Sequence, residues 1–137
     1  THMLFNVELV IHLSAEDATL QNIYRAFHER DVHLSLGRQE DLLRIDEISI
    51  VNLDELDLFE GAYLKHSMYI PSSYIYEEER KKGIPYLLNW KYKIKKGIRE
   101  WEQIPTTYVL KNQLIDEDFL CNPAYIDNEG YIVIWHQ

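Results

Sequence analysis

Hydrophobic and polar positions change rhythm several times along the chain, and each rhythm predicts a different element. Residues 5–13 alternate as a strand does, with Phe5, Val7, Leu9, Ile11 and Leu13 on one face and Asn6, Glu8, Val10 and His12 on the other. The spacing then lengthens. Leu20, Ile23, Tyr24 and Phe27 form the core-facing stripe of a helix that ends near residues 30–31. Ser14 sits where that helix is capped. Asp17 three residues on completes an approximate capping box, and Glu16 suits the positive helix end. Leu34 and Leu36 restore the alternation of a short half-buried strand. Gly37 permits a turn or a close backbone approach, after which residues 39–45 wind into a short helix. Ile48, Ile50 and Leu53 fall in a further strand over residues 47–53.

Residues 54–61 are an acidic connector ending in glycine, and beyond them the pattern is rich in strands and turns. Residues 63–70 read as a strand stopped by Pro71-Ser72-Ser73, and residues 77–82 as a short charged run before Gly83. Residues 86–94 alternate aromatic, aliphatic and basic side chains. Gly97 separates them from residues 98–104, where Trp101 and Ile104 face apolar surroundings, and residues 106–110 form another strand. Asn122-Pro123 and Asp127-Asn128-Glu129-Gly130 are turn signals, the second leading into a closing strand over residues 131–135. There is no internal repeat and no low-complexity tract.

The implied fold class is α+β: a partial ferredoxin-like (RNA-recognition-like) β-α-β unit over residues 4–60, followed by a β-rich region over residues 61–137. The order β, α, short β, short helix, β is that of the second half of such a fold. Its sheet edges and one helix-sized gap stay open to partners, or to self-association, unless residues 54–137 cover them.

Length allows one domain, or two small lobes sharing a core, in 137 residues. No apolar run is long enough to span a membrane. Thr1-His2-Met3 reads as a cloning scar, set aside from the fold. Cys121 is the only cysteine, so it forms no internal disulfide and offers no zinc cluster, and a reducing cytoplasm is the expected compartment. A net charge of −9 argues against a generic nucleic-acid binder. The charges are unevenly placed, however. Arg80, Lys81, Lys82, Lys91, Lys93, Lys95, Lys96 and Arg99 lie together with no acid among residues 80–99, while the acids crowd at 46–60, 77–79 and 116–118. Such a distribution presents a basic face to RNA and acidic faces to protein neighbours.

Within the basic stretch, lysines can track a nucleic-acid backbone while aromatic rings stack on bases. As a strand it places Lys91, Lys93 and Lys95 on one face and Trp90, Tyr92 and Ile94 on the other, which is also the pattern of an ordinary amphipathic strand. His33 near Arg38, and the pair Lys65-His66, have the residue types of a metal-independent nuclease. Six histidines make chance placement easy, and His12 reads as a sheet-face side chain. Asp54, Glu55 and Asp57, and Asp116, Glu117 and Asp118, read as solvated or docking faces in preference to a metal or glycosidase pair. No nucleotide-binding glycine loop and no hydrolase motif occurs, and no cofactor is implied.

Residues 34–42, Leu-Ser-Leu-Gly-Arg-Gln-Glu-Asp-Leu, followed by Ile45-Asp46-Glu47-Ile48, carry a leucine-glycine-arginine motif. This segment resembles the fifth Cas protein family, RAMP-superfamily subunits of type I CRISPR effectors, with the type I-B branch the nearest in flavour. Gly83-Ile84-Pro85-Tyr86-Leu87-Leu88 through Arg99-Glu100-Trp101-Glu102-Gln103-Ile104-Pro105, and Gly130-Tyr131-Ile132-Val133-Ile134-Trp135, are similar to that family's C-terminal part. Its glycine- and aromatic-rich N-terminal half has no counterpart, so the resemblance implies a C-terminal portion. It also implies a non-enzymatic, RNA-binding subunit that caps the 5′ handle of the guide RNA and contacts the large and backbone-filament subunits; the alternatives are a metal-independent endoribonuclease processing precursor guide RNA, or a protein-docking module without RNA binding. On this resemblance Gly37, Arg38 and Gln39 approach an RNA phosphate, helped by the N–H groups of a helix start, and Lys81, Lys82, Lys91, Lys93 and Lys95 add attraction. Without it, Gly37-Arg38 is a turn whose arginine pairs with Glu40 or Asp41. The branch that cleaves precursor RNA is expected to carry a Lys-His pair near the helix start. Ser14-Ala15-Glu16-Asp17-Ala18 has neither residue, which argues against cleavage here.

Overall fold

The computed structural model describes residues 5–136, and the cloning-scar reading of residues 1–3 lies outside them. The chain divides into two compact units, Thr1–Val51 and Asn52–Gln137. Together the described residues form one α-helix and ten short to long strands in small antiparallel sheets, an α+β composition.

In the first unit the helix α1 spans Asp17–His28. Its only half-buried residues are Leu20, Ile23, Tyr24 and Phe27, the stripe expected from spacing. The expected cap differs: Glu16 takes the N-cap position, and no side chain bonds the helix start. At the other end the Arg30 guanidinium donates to the Phe27 carbonyl. Strands β1 (Leu34–Ser35) and β2 (Leu42–Leu43) pair as a small hairpin, Leu34 opposite Leu43 and Ser35 opposite Leu42.

Three expectations for this unit are corrected. Residues 5–13 form no strand: a β-ladder exists only where a second backbone accepts its hydrogen bonds, and none among the described residues pairs with them. Asn6 also has φ 53, outside the β region, and Phe5 is 90% exposed. Residues 39–45 form no helix. The chain folds back instead, with the Asp41 N–H donating to the Arg38 carbonyl (3.1 Å) and the Leu36 N–H to the Asp41 carbonyl (3.0 Å). Residues 47–52 lie outside any strand; only at Leu53 does a ladder begin, because there β9 supplies a partner.

The second unit holds the core. Strands β3 (Leu53–Glu55), β9 (Tyr125–Asp127) and β10 (Ile132–Val133) form one sheet in the order β10-β9-β3. Strands β4 (Ala62–Tyr63) and β8 (Leu114–Ile115) form a second. Strands β5 (Met68–Pro71), β6 (Ile84–Lys95) and β7 (Ile98–Val109) form a third, in the order β5-β7-β6. The single strand expected over residues 63–70 is thus two strands in different sheets, parted by a bend at residues 65–66. Ile70, Ile75, Val109, Ile115 and Ala124 are fully buried, with Leu64, Phe119, Leu120 and Ile134 packed against them. The buried hydroxyls are satisfied: Thr107 Oγ1 and Ser72 Oγ lie 2.9 Å apart, and Thr106 Oγ1 donates to the Tyr86 carbonyl at 3.1 Å. Gly83 is packed so tightly that a Cβ there would lie 2.4 Å from Thr107 Cγ2 and 2.8 Å from the Tyr108 carbonyl oxygen.

Candidate nucleic-acid interface

The β6–β7 hairpin continues well past the rest of its sheet. β5 pairs with β7 only from Thr106 to Val109, whereas β6 pairs with it from Ile84–Tyr108 out to Lys95–Ile98. Beyond the part shared with β5, the ribbon is two strands wide, and every residue from 91 to 103 is exposed. A two-residue turn, Lys96 (φ 51) and Gly97 (φ 76), closes it. Both residues are left-handed, as the twist of a tight hairpin demands.

Register decides which side chains share a side of this arm. Asn89 pairs with Gln103 and Lys91 with Glu102, so Trp90 is an extra residue, a β-bulge. Its ring lies 5.3 Å from that of His136, and the Lys91 ammonium sits 5.6 Å over it. Past the bulge, Lys91, Lys93 and Lys95 stand on one side, opposite Glu102, Glu100 and Ile98. Lys95 and Glu100 form an ion pair at 3.1 Å. The other side carries Tyr92 and Trp101, packed edge to face at 5.0 Å, with Arg99 4.9 Å over the Tyr92 ring. Trp101 is 44% exposed, so it does not face the core as expected.

Three tyrosines not singled out by the sequence lie nearer the base of the same sheet. Tyr69 and Tyr108 are directly opposed in β5 and β7, with rings 4.8 Å apart, and Tyr86 of β6 meets them at 5.7 and 6.3 Å. They stand on the side of the sheet away from Ile70, Thr107 and Val109, which are buried. An abundance of tyrosine, ten residues, was the sequence signal. Only register brings these three together.

The remaining predicted residues are placed as follows. Gly37, Arg38 and Gln39 lie in the β1–β2 turn of the first unit, not at a helix start, so the expected helix-end phosphate site is absent from the described residues. Arg38 grips Asp41 with two hydrogen bonds of 3.0 Å and has Glu40 at 3.7 Å, which is the turn arrangement the sequence allowed. That hydrogen bond holds the Asp41 carboxyl below the usual carboxylate range and raises Arg38. Gly37 has φ +86 and open space on its Cβ side. Lys81 and Lys82 fall on a 3-10 turn, Glu77–Lys82, just ahead of β6; Lys81 is exposed and Lys82 is paired with Glu79.

His33 lines an open groove of ≈ 660 Å³ in the first unit, with His28, Arg30, Asp31 and Arg44, and Arg38 does not line it. Lys65 and His66 act as a structural clasp. The His66 ring stacks on Tyr131 at 5.2 Å, and the Lys65 ammonium sits 4.7 Å over that ring and donates to the Glu129 carbonyl. The carboxylates of Asp57 and Asp116 accept backbone N–H bonds from Phe59, and from Asp118 and Phe119, which makes them turn-formers. Among the described residues no group of three or more His, Cys, Asp or Glu is placed to hold a metal, and no helix is long and apolar enough to cross a membrane. No family model, no curated protein and no solved structure matches this chain.

Proposed function

We propose that this chain is an RNA-contacting portion of a type I CRISPR effector subunit, holding the 5′ handle of the guide RNA, with the β6–β7 arm as its principal contact. The observation that carries this is the arm itself. Five basic side chains between Lys91 and Arg99 and an exposed aromatic pair sit on a two-stranded ribbon whose residues 91–103 are all exposed. Lysines supply the salt-sensitive attraction to phosphate, and exposed rings supply base contacts. The leucine-glycine-arginine resemblance points to the same ligand. There Arg38 would exchange Asp41 for a phosphate, and Gly37 leaves room for a backbone to approach. Asp54, Glu55 and Asp57 would dock the large or backbone-filament subunit, and pairing of residues 5–13 with a neighbouring strand would complete a ferredoxin-like half.

Anisotropy of labelled handle RNA, titrated at two salt concentrations against a scrambled RNA, tests this. Wild type binds the handle preferentially, and Lys91→Gln with Lys93→Gln weakens binding and flattens its salt dependence. Equal binding of both RNAs, or none, overturns the reading. Clean, site-specific cleavage of repeat RNA in EDTA would favour an endoribonuclease instead.

A further inference from the structure

We infer that Tyr69, Tyr86 and Tyr108 form a base-stacking platform for single-stranded RNA, whose backbone then runs along Lys91, Lys93 and Lys95. This rests on the RNA reading above and deepens it, by naming the form of RNA and the surface that receives it.

The bulge at Trp90 makes the two groups continuous. In an unbroken strand, side chains five apart, such as Tyr86 and Lys91, project from opposite sides. The extra residue shifts the alternation by one. By register, Tyr86 and Leu88 pair with Thr106 and Ile104, and Lys91, Lys93 and Lys95 with Glu102, Glu100 and Ile98, all on the side of Tyr108. Tyr69, directly opposite Tyr108, joins them. Tyrosines and lysines therefore share one side of one sheet.

Tyr69 is 41% and Tyr86 45% exposed, so both rings are open to a ligand. Their rings meet at steep angles, 78° for Tyr69 with Tyr86 and 88° for Tyr86 with Tyr108, so at least one ring face is left for a stacked base. Bases in a duplex bury their faces against one another and cannot use such a surface, whereas an unpaired base can. Past Leu88 and Ile104 the same side carries Lys91, Lys93 and Lys95 against Glu102 and Glu100, a net positive strip that suits an occupant with a charged backbone. Phosphate binding there competes with Glu100 for Lys95.

The decisive experiment compares the single-stranded handle RNA with its duplex, for wild type, Tyr69→Ala, Tyr86→Ala and Tyr86→Phe, with circular dichroism as the check on folding. Wild type prefers the single strand. Tyr86→Ala weakens single-strand binding about tenfold or more and leaves duplex binding unchanged, and Tyr86→Phe keeps wild-type affinity because the ring face remains. If both alanine variants bind the single strand as wild type does, while Lys91→Gln with Lys93→Gln weakens it, the platform is wrong and the RNA reading stands. If wild type binds neither RNA, both fall together.

Discussion

Arg38 and Asp41 show how a single pair shapes a turn. Asp41 titrates below the ordinary carboxylate value because the guanidinium favours its charged form. A carboxyl lowered in the folded state adds stability above its unfolded pKa and loses it as pH falls through the folded value. The β1–β2 turn should therefore loosen on acidification past that value, seen as a joint shift of the Asp41 carboxyl and Arg38 Nε signals in NMR, and Asp41→Asn should abolish the transition. RNA would have to displace Asp41, so Asp41→Ala, which leaves Arg38 only the longer contact to Glu40, is expected to strengthen handle binding modestly in the anisotropy assay. Gly83 makes a different demand at the residue scale. Its φ is −127, so conformational freedom is not the issue, but a methyl group there meets backbone. Gly83→Ala is expected to cost about 1–3 kcal/mol in urea unfolding, as overpacking does. The turn at Gly37-Arg38 was legible in the sequence, including the choice of Glu40 or Asp41 as partners. Which partner wins, and whether a helix follows, depended on backbone bonds that spacing does not encode.

At the scale of elements, α1 was the most legible part, since four apolar positions at helical spacing define one face whatever lies beyond it. The alternation over residues 86–94 and the break at Gly97 were legible too, but the stretches expected separately at 98–104 and 106–110 are one strand, β7, paired with β6 as a hairpin. The bulge was hidden, because an extra residue in one strand is visible only against its partner. The correspondence between lysines and tyrosines was hidden with it. Residues 5–13 and 47–52 have the alternation of strands but not their pairing; periodicity states which face would be buried and is silent on whether a second strand arrives. Register itself can be tested. Inserting a threonine between Glu102 and Gln103 gives Trp90 a partner, removes the bulge and turns Lys91, Lys93 and Lys95 to the opposite side. Single-strand binding should fall by about the same factor as in the tyrosine variant, with the hairpin preserved by circular dichroism.

The two units differ in how much they bury. Among residues 5–51 no side chain is fully buried, whereas Ile70, Ile75, Val109 and Ile115 have no exposed surface. Hydrogen exchange should reflect this directly, with slow amides in β5, the base of β7 and β9, and fast ones through residues 5–16 and the arm. Ile70→Ala should lower stability by about 2–5 kcal/mol in urea unfolding monitored by tryptophan fluorescence. The arm has one more consequence, for behaviour in concentrated solution. The outer edge of β6 pairs with nothing among the described residues, and β7 loses its second neighbour beyond Thr106, so the ribbon offers two bare backbone edges of the kind that nucleate fibrils. Two copies joining through β6 in a register centred on Lys93 would set ammonium against ammonium along the seam, which gives the lysines a gatekeeping part beside the RNA contacts proposed for them. Salt weakens both effects, since the screening length shrinks from about 8 Å at physiological ionic strength to about 3 Å at 1 M. Brine that strips RNA from the arm should thus be the same brine in which the naked protein begins to stick to itself.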